Sequence, residues 1–288
     1  MPWALPSENV HTLRGDVGDG YRGGMPAFAY RTPAALRGLV ASCVGYDFRT
    51  PPGLVHHGLP STALTMIISF DEPLDCGWDE RERDRFWMLV GGLHLRPAQI
   101  RTLGRQHGIQ LSLTPLGARV LLGVPASELA HQLVHHSELG VRLGGDLQDC
   151  MVMAPWPERF RLLDCHLLGV TGNSRFALDP SLTEAWRLLT NGAGGERVDD
   201  VARRVGWSRR QLSSRFASEF GVSPKQVARL ARFEQASQMV KSGRPLAEVA
   251  RHAGYSDQPH MNREFRELAG LTPTGVAEDF PIVQDPPV

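Results

Sequence analysis

Five arginines fall within eighteen residues of this 288-residue chain: Arg203, Arg204, Arg209, Arg210 and Arg215, with no acid between 201 and 218. A local +5 suits contact with a polyanion, because each neutralised phosphate releases counterions. Lys225 and Lys241 are the only lysines, so such contacts fall almost wholly to arginine, whose fork pairs with guanine edges. Three other groups of residues invite chemistry. The adjacent pairs His56-His57 and His135-His136 suggest metal ligation, but neighbouring strand side chains point to opposite faces, and no His-X-His with a downstream Glu accompanies them. Cys165-His166 suggests a nucleophile or alkyl acceptor, but adjacent helix positions diverge and a buried structural cysteine is expected. Trp78, Phe86, Trp87 and Trp156 are expected in the core rather than in a ligand cage. No catalytic residue, metal ligand or cofactor is therefore assigned.

The elements that must position the arginines can be read from the whole chain. Hydrophobic residues make up 42% and charged residues 22%, a soluble globular range, and the length suggests two domains. The chain has 30 glycines and 21 prolines, about 18% together, many turns but short of low complexity. No apolar run approaches the ~18 residues of a membrane span, and no basic segment leads into an apolar one at the start. Cys43, Cys76, Cys150 and Cys165 form no CxxC pair, which argues against a disulfide framework and for a reducing cytoplasm. Basic and acidic residues balance at 31 each. Taken alone this argues against a polyanionic partner, but binding depends on where charge sits. Residues 179–280 hold 15 basic and 13 acidic residues.

Residues 1–24, rich in glycine, read as a flexible tail. From 25 to 125 the pattern is β-rich. Val44, Tyr46 and Phe48 alternate, and the runs Ala63–Phe70, Phe86–Leu93 and Ile109–Leu113 suit buried strands. Asp71–Asp84, with seven acids, reads as a solvated loop. Residues 126–178 read as a helical connector. Ser127 caps a helix reaching Leu133, a second helix covers Glu138–Met151, and a third starts near Glu158 with Phe160, Leu163 and Leu167 on one face. Asp179-Pro180 opens the next helix as cap and first residue. Residues 281–288 read as a disordered end.

The informative feature is a repeat. Asp200-Val-Ala-Arg-Arg-Val-Gly-Trp-Ser208, followed by Phe216, Gly221 and Pro224, recurs as Glu248-Val-Ala-Arg-His-Ala-Gly-Tyr-Ser256, followed by Phe265, Gly270 and Pro273. Each copy has the anatomy of a helix-turn-helix. Ala202 or Ala250 allows a close crossing. Gly206 or Gly254 supplies the left-handed residue at the helix end. Trp207 or Tyr255 plugs the corner. Ser208, or Ser256 with Asp257, caps the second helix. Leu212 and Phe216, or Met261 and Phe265, face inward and leave the opposite face for a major groove. Between the copies, Pro224 opens a helix to Val240, a rod of about 25 Å at ~1.5 Å per residue. Successive major grooves on one DNA face lie ~34–36 Å apart. The second copy is less basic: over 244–270 its arginines and acids cancel. The first unit is therefore expected to carry most of the affinity.

On these residues the chain resembles the AraC/XylS family of bacterial transcription regulators. Leu246-Ala-Glu-Val-Ala250, Ala253-Gly-Tyr-Ser-Asp-Gln-Pro-His-Met-Asn-Arg-Glu-Phe265 and Gly270-Leu-Thr-Pro273 carry the signature in the second copy. Val201-Ala202, Gly206, Ser208, Leu212, Arg215-Phe216 and Gly221-Val-Ser-Pro224 carry it in the first. The resemblance implies an α+β chain: an N-terminal β-rich, barrel-like sensor or dimerisation domain (25–125), a helical connector (126–178) and an all-α DNA-binding domain with two helix-turn-helix units (179–280). It implies base reading by Arg209, Arg210, Ser213 and Ser214 in one recognition helix and by Gln258, His260, Asn262 and Arg263 in the other. It assigns Arg203, Arg204, Ser208, Arg215, Ser256 and Arg266 to the DNA backbone. Double-stranded DNA is the implied partner. RNA polymerase, a small-molecule effector and a second copy of the chain are further ones, with activation the family habit. The rival readings are an enzyme fused to a DNA-binding module and a helical protein-interaction scaffold.

Overall fold

The structure, a computed structural model, describes residues 10–14, 26–140, 147–173, 176, 178–191 and 196–279. Strands run in the order β1 (Val10–Arg14), β2 (Pro26–Tyr30), β3 (Val40–Arg49), β4 (Val55–Gly58), β5 (Leu64–Ser69), β6 (Leu74–Gly77), β7 (Arg83–Phe86), β8 (Met88–Gly91), β9 (Ala98–Arg101) and β10 (Arg105–Leu113). Helices α1 (Pro115–Gly117) and α2 (Ala126–Leu129) precede a last strand, β11 (Leu133–His135). Then come α3 (Leu147–Val152), α4 (Trp156–Asn173), α5 (Pro180–Thr190), α6 (Val198–Arg204), α7 (Arg209–Phe220), α8 (Pro224–Lys241), α9 (Leu246–His252), α10 (Gln258–Ala269) and α11 (Pro273–Glu278).

The strands form two antiparallel sheets, one ordered β1-β2-β3-β10-β5-β8-β11 and the other β4-β9-β6-β7. Closure into a barrel requires the end strands to pair. Among the described residues they do not, so the barrel-like expectation gives way to two open sheets. The N-terminal stretch expected as a tail contributes β1, which pairs with β2 from Val10 against Tyr30 to Arg14 against Pro26. The rest of that stretch, and the expected disordered end at 281–288, lie outside the described residues.

β3 is buried on both faces: Cys43 lies in the main core, while Tyr46 and Phe48 face a second one with Ile67, Phe86 and Ile100. The run expected as a single strand over Phe86–Leu93 is two, because the chain crosses from one sheet to the other at Trp87. Trp87 is 45% exposed at that crossing, not in the core. The expected acidic loop instead holds the β6–β7 hairpin. Asp75 is buried there, with Arg83 at 2.8 Å and Arg85 at 3.7 Å, and Asp79 accepts from the backbone of Arg81 and Glu82 to form the turn.

The expected connector differs in three places. Ser127 lies inside α2 and makes no cap; Pro125 precedes the helix. Leu133–His135 is a strand paired with β8. In the region expected as one helix over Glu138–Met151, a single 3-10 turn covers His136–Glu138 and the helix is Leu147–Val152, with 141–146 outside the described residues. The third expectation holds: Phe160, Leu163 and Leu167 of α4 are buried. Gly45 lets α4 seat on the sheet, since a Cβ there would lie 2.3 Å from the Trp156 ring. Arg159 is sandwiched by Phe70 at 4.4 Å and Trp156 at 4.7 Å. Its guanidinium donates to the carbonyls of Met151 and Val152, so its charge is satisfied away from water.

One core runs from the larger sheet through α4 into α5, α6 and α7, taking in Leu189, Val201, Leu212, Phe216 and Phe220. A separate core joins Phe233, Ala236 and Val240 of α8 to Val249, Tyr255, Met261 and Phe265. Among the described residues no helix is long and apolar enough to cross a membrane.

Candidate nucleic-acid interface

The two repeat copies fold alike, and the reason is local. Trp207 N–H donates to Ala202 O at 2.9 Å and Tyr255 N–H to Ala250 O at 2.9 Å, wrapping each helix end about its glycine. Gly206 has φ +75° and Gly254 φ +76°, a left-handed conformation that side chains disfavour. Ser208 caps α7 in a capping box with Gln211. In the second copy the cap is Asp257, accepting from His260 N–H at 2.6 Å, while Ser256 Oγ lies 3.1 Å from His260 Nδ1. Asp179 caps α5 by accepting from Ser181 N–H, with Pro180 in the first turn, as its sequence requires. Ser223 and Gln226 form a second capping box on α8, whose 18 residues make a rod of about 27 Å.

The exposed stripes correspond at the repeat offset of 49. On α7 the outward residues include Arg210, Ser214, Ala217 and Ser218; on α10 they are Pro259, Arg263, Arg266 and Glu267. Of the expected base readers, Arg209, Arg210, Ser214 and Arg263 are exposed, whereas Ser213, Gln258, His260 and Asn262 are half-buried. His260 sits edge-on to Tyr255 at 5.4 Å, and Asn262 turns its Oδ1 into a buried position without a hydrogen-bond partner. The expected backbone residues Arg203, Arg204, Ser208, Arg215, Ser256 and Arg266 are all exposed.

The charge contrast read from windows of sequence narrows in three dimensions. Arg203 pairs with Asp200, Arg204 with Glu196 at 2.9 Å, Arg209 with Asp199 at 3.5 Å and Arg215 with Asp179 at 3.0 Å. All four acids lie outside the acid-free window. Arg215 also covers Trp207, 4.5 Å from its ring. In the second unit Glu264 and Glu267 are taken up by Arg229 of α8 at 2.7 and 2.6 Å, and Arg229 lies outside the window counted for that unit. What stays outward without an ion pair among the described residues is Arg210 on one helix and Arg263 and Arg266 on the other. Only Arg203–Asp200, three residues apart on α6, could be found from local spacing; Asp199 meets Arg209 across a turn, and Asp179 and Arg229 act from other helices of the fold.

The other chemical candidates disperse. His56 and His57 point apart, as strand neighbours must. Burial pushes His56 down to about 4, and its Nε2 lies 3.1 Å from Gln106 Nε2. His57 turns to Asp279, with its Nδ1 3.0 Å from Oδ2. His135 meets Asp84 at 3.1 Å, while His136 is buried and pushed down to about 4 by desolvation and by His166. Cys165 is exposed, contrary to expectation, with Arg161 Nη1 3.8 Å from its Sγ. Among the described residues no group of three or more His, Cys, Asp or Glu is placed to hold a metal ion.

Residues 201–279 match the family model described as a helix-turn-helix domain. Among curated relatives, the probable transcriptional regulator LumQ of Photobacterium leiognathi is 34% identical over 65 residues, covering 22% of this chain and 26% of LumQ. The HTH-type transcriptional regulator ArgR of Pseudomonas aeruginosa is 24% identical over 196 residues, covering 67% of this chain and 48% of ArgR. The chain thus spans less than half the length of either. Among solved structures, ToxT from Vibrio cholerae is 10% identical with a TM-score of 0.52, covering 82% of this chain and 97% of that one. That likeness carries the two-part fold: β-rich sheets followed by a helical helix-turn-helix region.

Proposed function

We propose that this chain, which belongs to the AraC/XylS family through its C-terminal helix-turn-helix domain, is a sequence-specific DNA-binding transcription regulator. The observation that carries this reading is the pair of equivalent units on one rigid helix. Each presents an open recognition stripe, with Arg210 on one and Arg263 on the other. The N-terminal half of a recognition helix is the part that meets base edges, and Arg209, Arg210, Ser213, Ser214, Gln258, His260, Asn262 and Arg263 all fall there. Arg210 and Arg263 are assigned guanine edges. Arg203, Arg204, Ser208, Arg215, Ser256 and Arg266 are assigned phosphates, reached when DNA displaces the acids that hold the paired arginines. Activation is the assigned direction of regulation, RNA polymerase the assigned protein partner, and the bacterial cytoplasm the place of action.

The N-terminal β-rich region is assigned effector sensing or dimerisation, with the connector passing the signal to residues 179–280. An open cleft of about 490 Å³ lined by Tyr30, Arg31, Arg37, Val40, Cys43 and Thr114 has the size of a small-molecule site. Its two arginines favour a ligand with an anionic group. One of the solved ToxT structures is described as bound to an unsaturated fatty acid, a ligand of that class.

Selection of bound duplexes from a random pool with the full-length chain tests the function. The expected result is a motif of two short elements about one helical turn apart. Enrichment of no sequence at all, with the chain folded, would contradict it.

A further inference from the structure

The N-terminal region touches both helix-turn-helix units, at points far apart on the DNA-binding half. On the first unit, Arg119 donates through Nε and Nη2 to Glu219 of α7 at 2.8 and 2.6 Å. Ser127 Oγ donates to Ser218 O at 2.7 Å. The ends of α2 and α7 meet so closely that a Cβ on Gly221 would lie 2.3 Å from Ala130 Cβ. On the second unit, His57 N–H donates to Asp279 Oδ2 at 3.2 Å, at the end of α11. Pro97 lies 3.5 Å from where a Cβ of Gly270 would stand, at the end of α10. Leu59 is buried in the second unit's core, and Leu95 packs against it. Between the units, Thr62 donates through N–H and Oγ1 to Glu234 of α8 at 3.3 and 2.8 Å.

These contacts give the two units a second connection. The first is α8, which puts Val227 and Ala228 into one core and Phe233, Ala236 and Val240 into the other. A single rod resists stretching, but it leaves rotation about its own axis and bending to be stopped by whatever packs beside it. Attachments off that axis, one set at α7 and one at α10 and α11, oppose both motions. The orientation of two recognition helices about a common axis is what decides the operator spacing they accept, since one base pair turns the groove by about 34–36°.

We propose that the N-terminal region is a splint that fixes the spacing and rotation of the two recognition helices. Arg119 and Ser127 on the first unit, and His57 and Thr62 on the second unit and its helix, are positioning residues for operator spacing. This rests on the DNA-binding reading above. A merely structural role would lower stability or affinity at every spacing alike; a splint role changes the spacing profile.

The test uses the full-length chain and a series of duplexes carrying the two selected elements at the native spacing and at one or two base pairs more or fewer. Wild-type chain is expected to bind the native spacing best and to lose affinity steeply on either side. Arg119→Ala, and separately Thr62→Val combined with Asp279→Asn, are expected to keep binding at the native spacing within about threefold. The penalty for one added base pair should shrink by roughly tenfold, the ratio that about 1.4 kcal/mol represents. Exchanging the charges, Arg119→Glu with Glu219→Arg, is expected to restore the steep profile. Circular dichroism confirms that each variant is folded, and Glu219→Gln, which removes the same ion pair from the other side, replaces Arg119→Ala if that one is not. Folded variants with the wild-type profile would overturn the splint while leaving DNA binding intact, as would a wild-type chain indifferent to spacing. No binding by wild-type chain at any spacing would overturn the DNA-binding reading itself.

Discussion

The first helix-turn-helix unit shares its core with the N-terminal region, whereas the second is built around its own core, to which Leu59 is added. Their charges are organised differently too. In the first unit the ion pairs are exposed and hold outward arginines: Arg203 is 78% exposed and Arg209 69%. In the second, Glu264 is 7% exposed and Arg229 24%, so that pair is part of the packing. One local motif is thus made rigid in two ways. One unit is fused to a larger body and keeps its surface charges displaceable. The other is locked from within by a buried pair and leaves Arg263 and Arg266 outward.

The strongest test of that contrast is in the cores. Phe216→Ala and Phe265→Ala each remove a fully buried ring and are expected to cost about 3–5 kcal/mol. Hydrogen exchange should separate them: Phe216→Ala lowers protection in α5, α7 and the larger sheet, Phe265→Ala in α8 to α11. Equal spread from both would mean that the two units share one core. Next is the buried pair. Glu264→Gln leaves Arg229 with Glu267 as its one carboxylate and should cost about 1.5–3 kcal/mol in urea unfolding, against under ~1 kcal/mol for Asp200→Asn in the exposed pair.

The third test is pH. His56, His94 and His136 are buried in the N-terminal region with pKa values pushed down to about 4 by desolvation, while no described histidine of α5 to α11 is buried. Below pH 6.5 the unfolded chain takes up protons that these folded sites refuse. Stability should therefore fall as pH drops from about 6.5 to 4, by at most about 3 kcal/mol per histidine. Exchange protection of β5, β8 and β10 at pH 5 should drop before that of α10; the reverse order would refute the assignment.

Smaller effects concern DNA. Arg210→Ala and Arg263→Ala should each cost about 1–3 kcal/mol of binding, with preference relaxed at one position. Arg210→Ala having the effect and Arg263→Ala none would restore the ranking read from sequence charge. Smallest of all, Asp199→Asn with Asp200→Asn should free Arg209 and Arg203 and tighten binding by under ~1 kcal/mol, read by anisotropy at low salt. Weaker binding would mean that the acids orient the arginines rather than compete for them.

The C-terminal half was legible because its signals are local. Caps at Asp179, Ser208 and Asp257, left-handed glycines at 206 and 254 and the inward pairs Leu212–Phe216 and Met261–Phe265 each act within a dozen residues. The N-terminal half was less so. Where Phe86–Leu93 breaks between sheets, and that Leu133–His135 joins β8, depends on partners far along the chain. Charge misled because a window cuts arginines from acids that lie just outside it or on another helix. A window from 201 to 218 contains the arginines of the first unit but none of their acids, and the window on the second holds Glu264 without Arg229. Arg119–Glu219, Thr62–Glu234 and His57–Asp279 lie 100 to 222 residues apart, beyond the reach of any periodicity.

Footprinting of the full-length chain on its selected duplex, with Arg210→Ala and Arg263→Ala beside the wild type, decides whether two units read DNA in tandem. Two protected major-groove segments on one face, about ten base pairs apart, are expected. Arg210→Ala should open one segment and Arg263→Ala the other. A single protected segment, or both substitutions opening the same one, would contradict two units reading DNA in tandem.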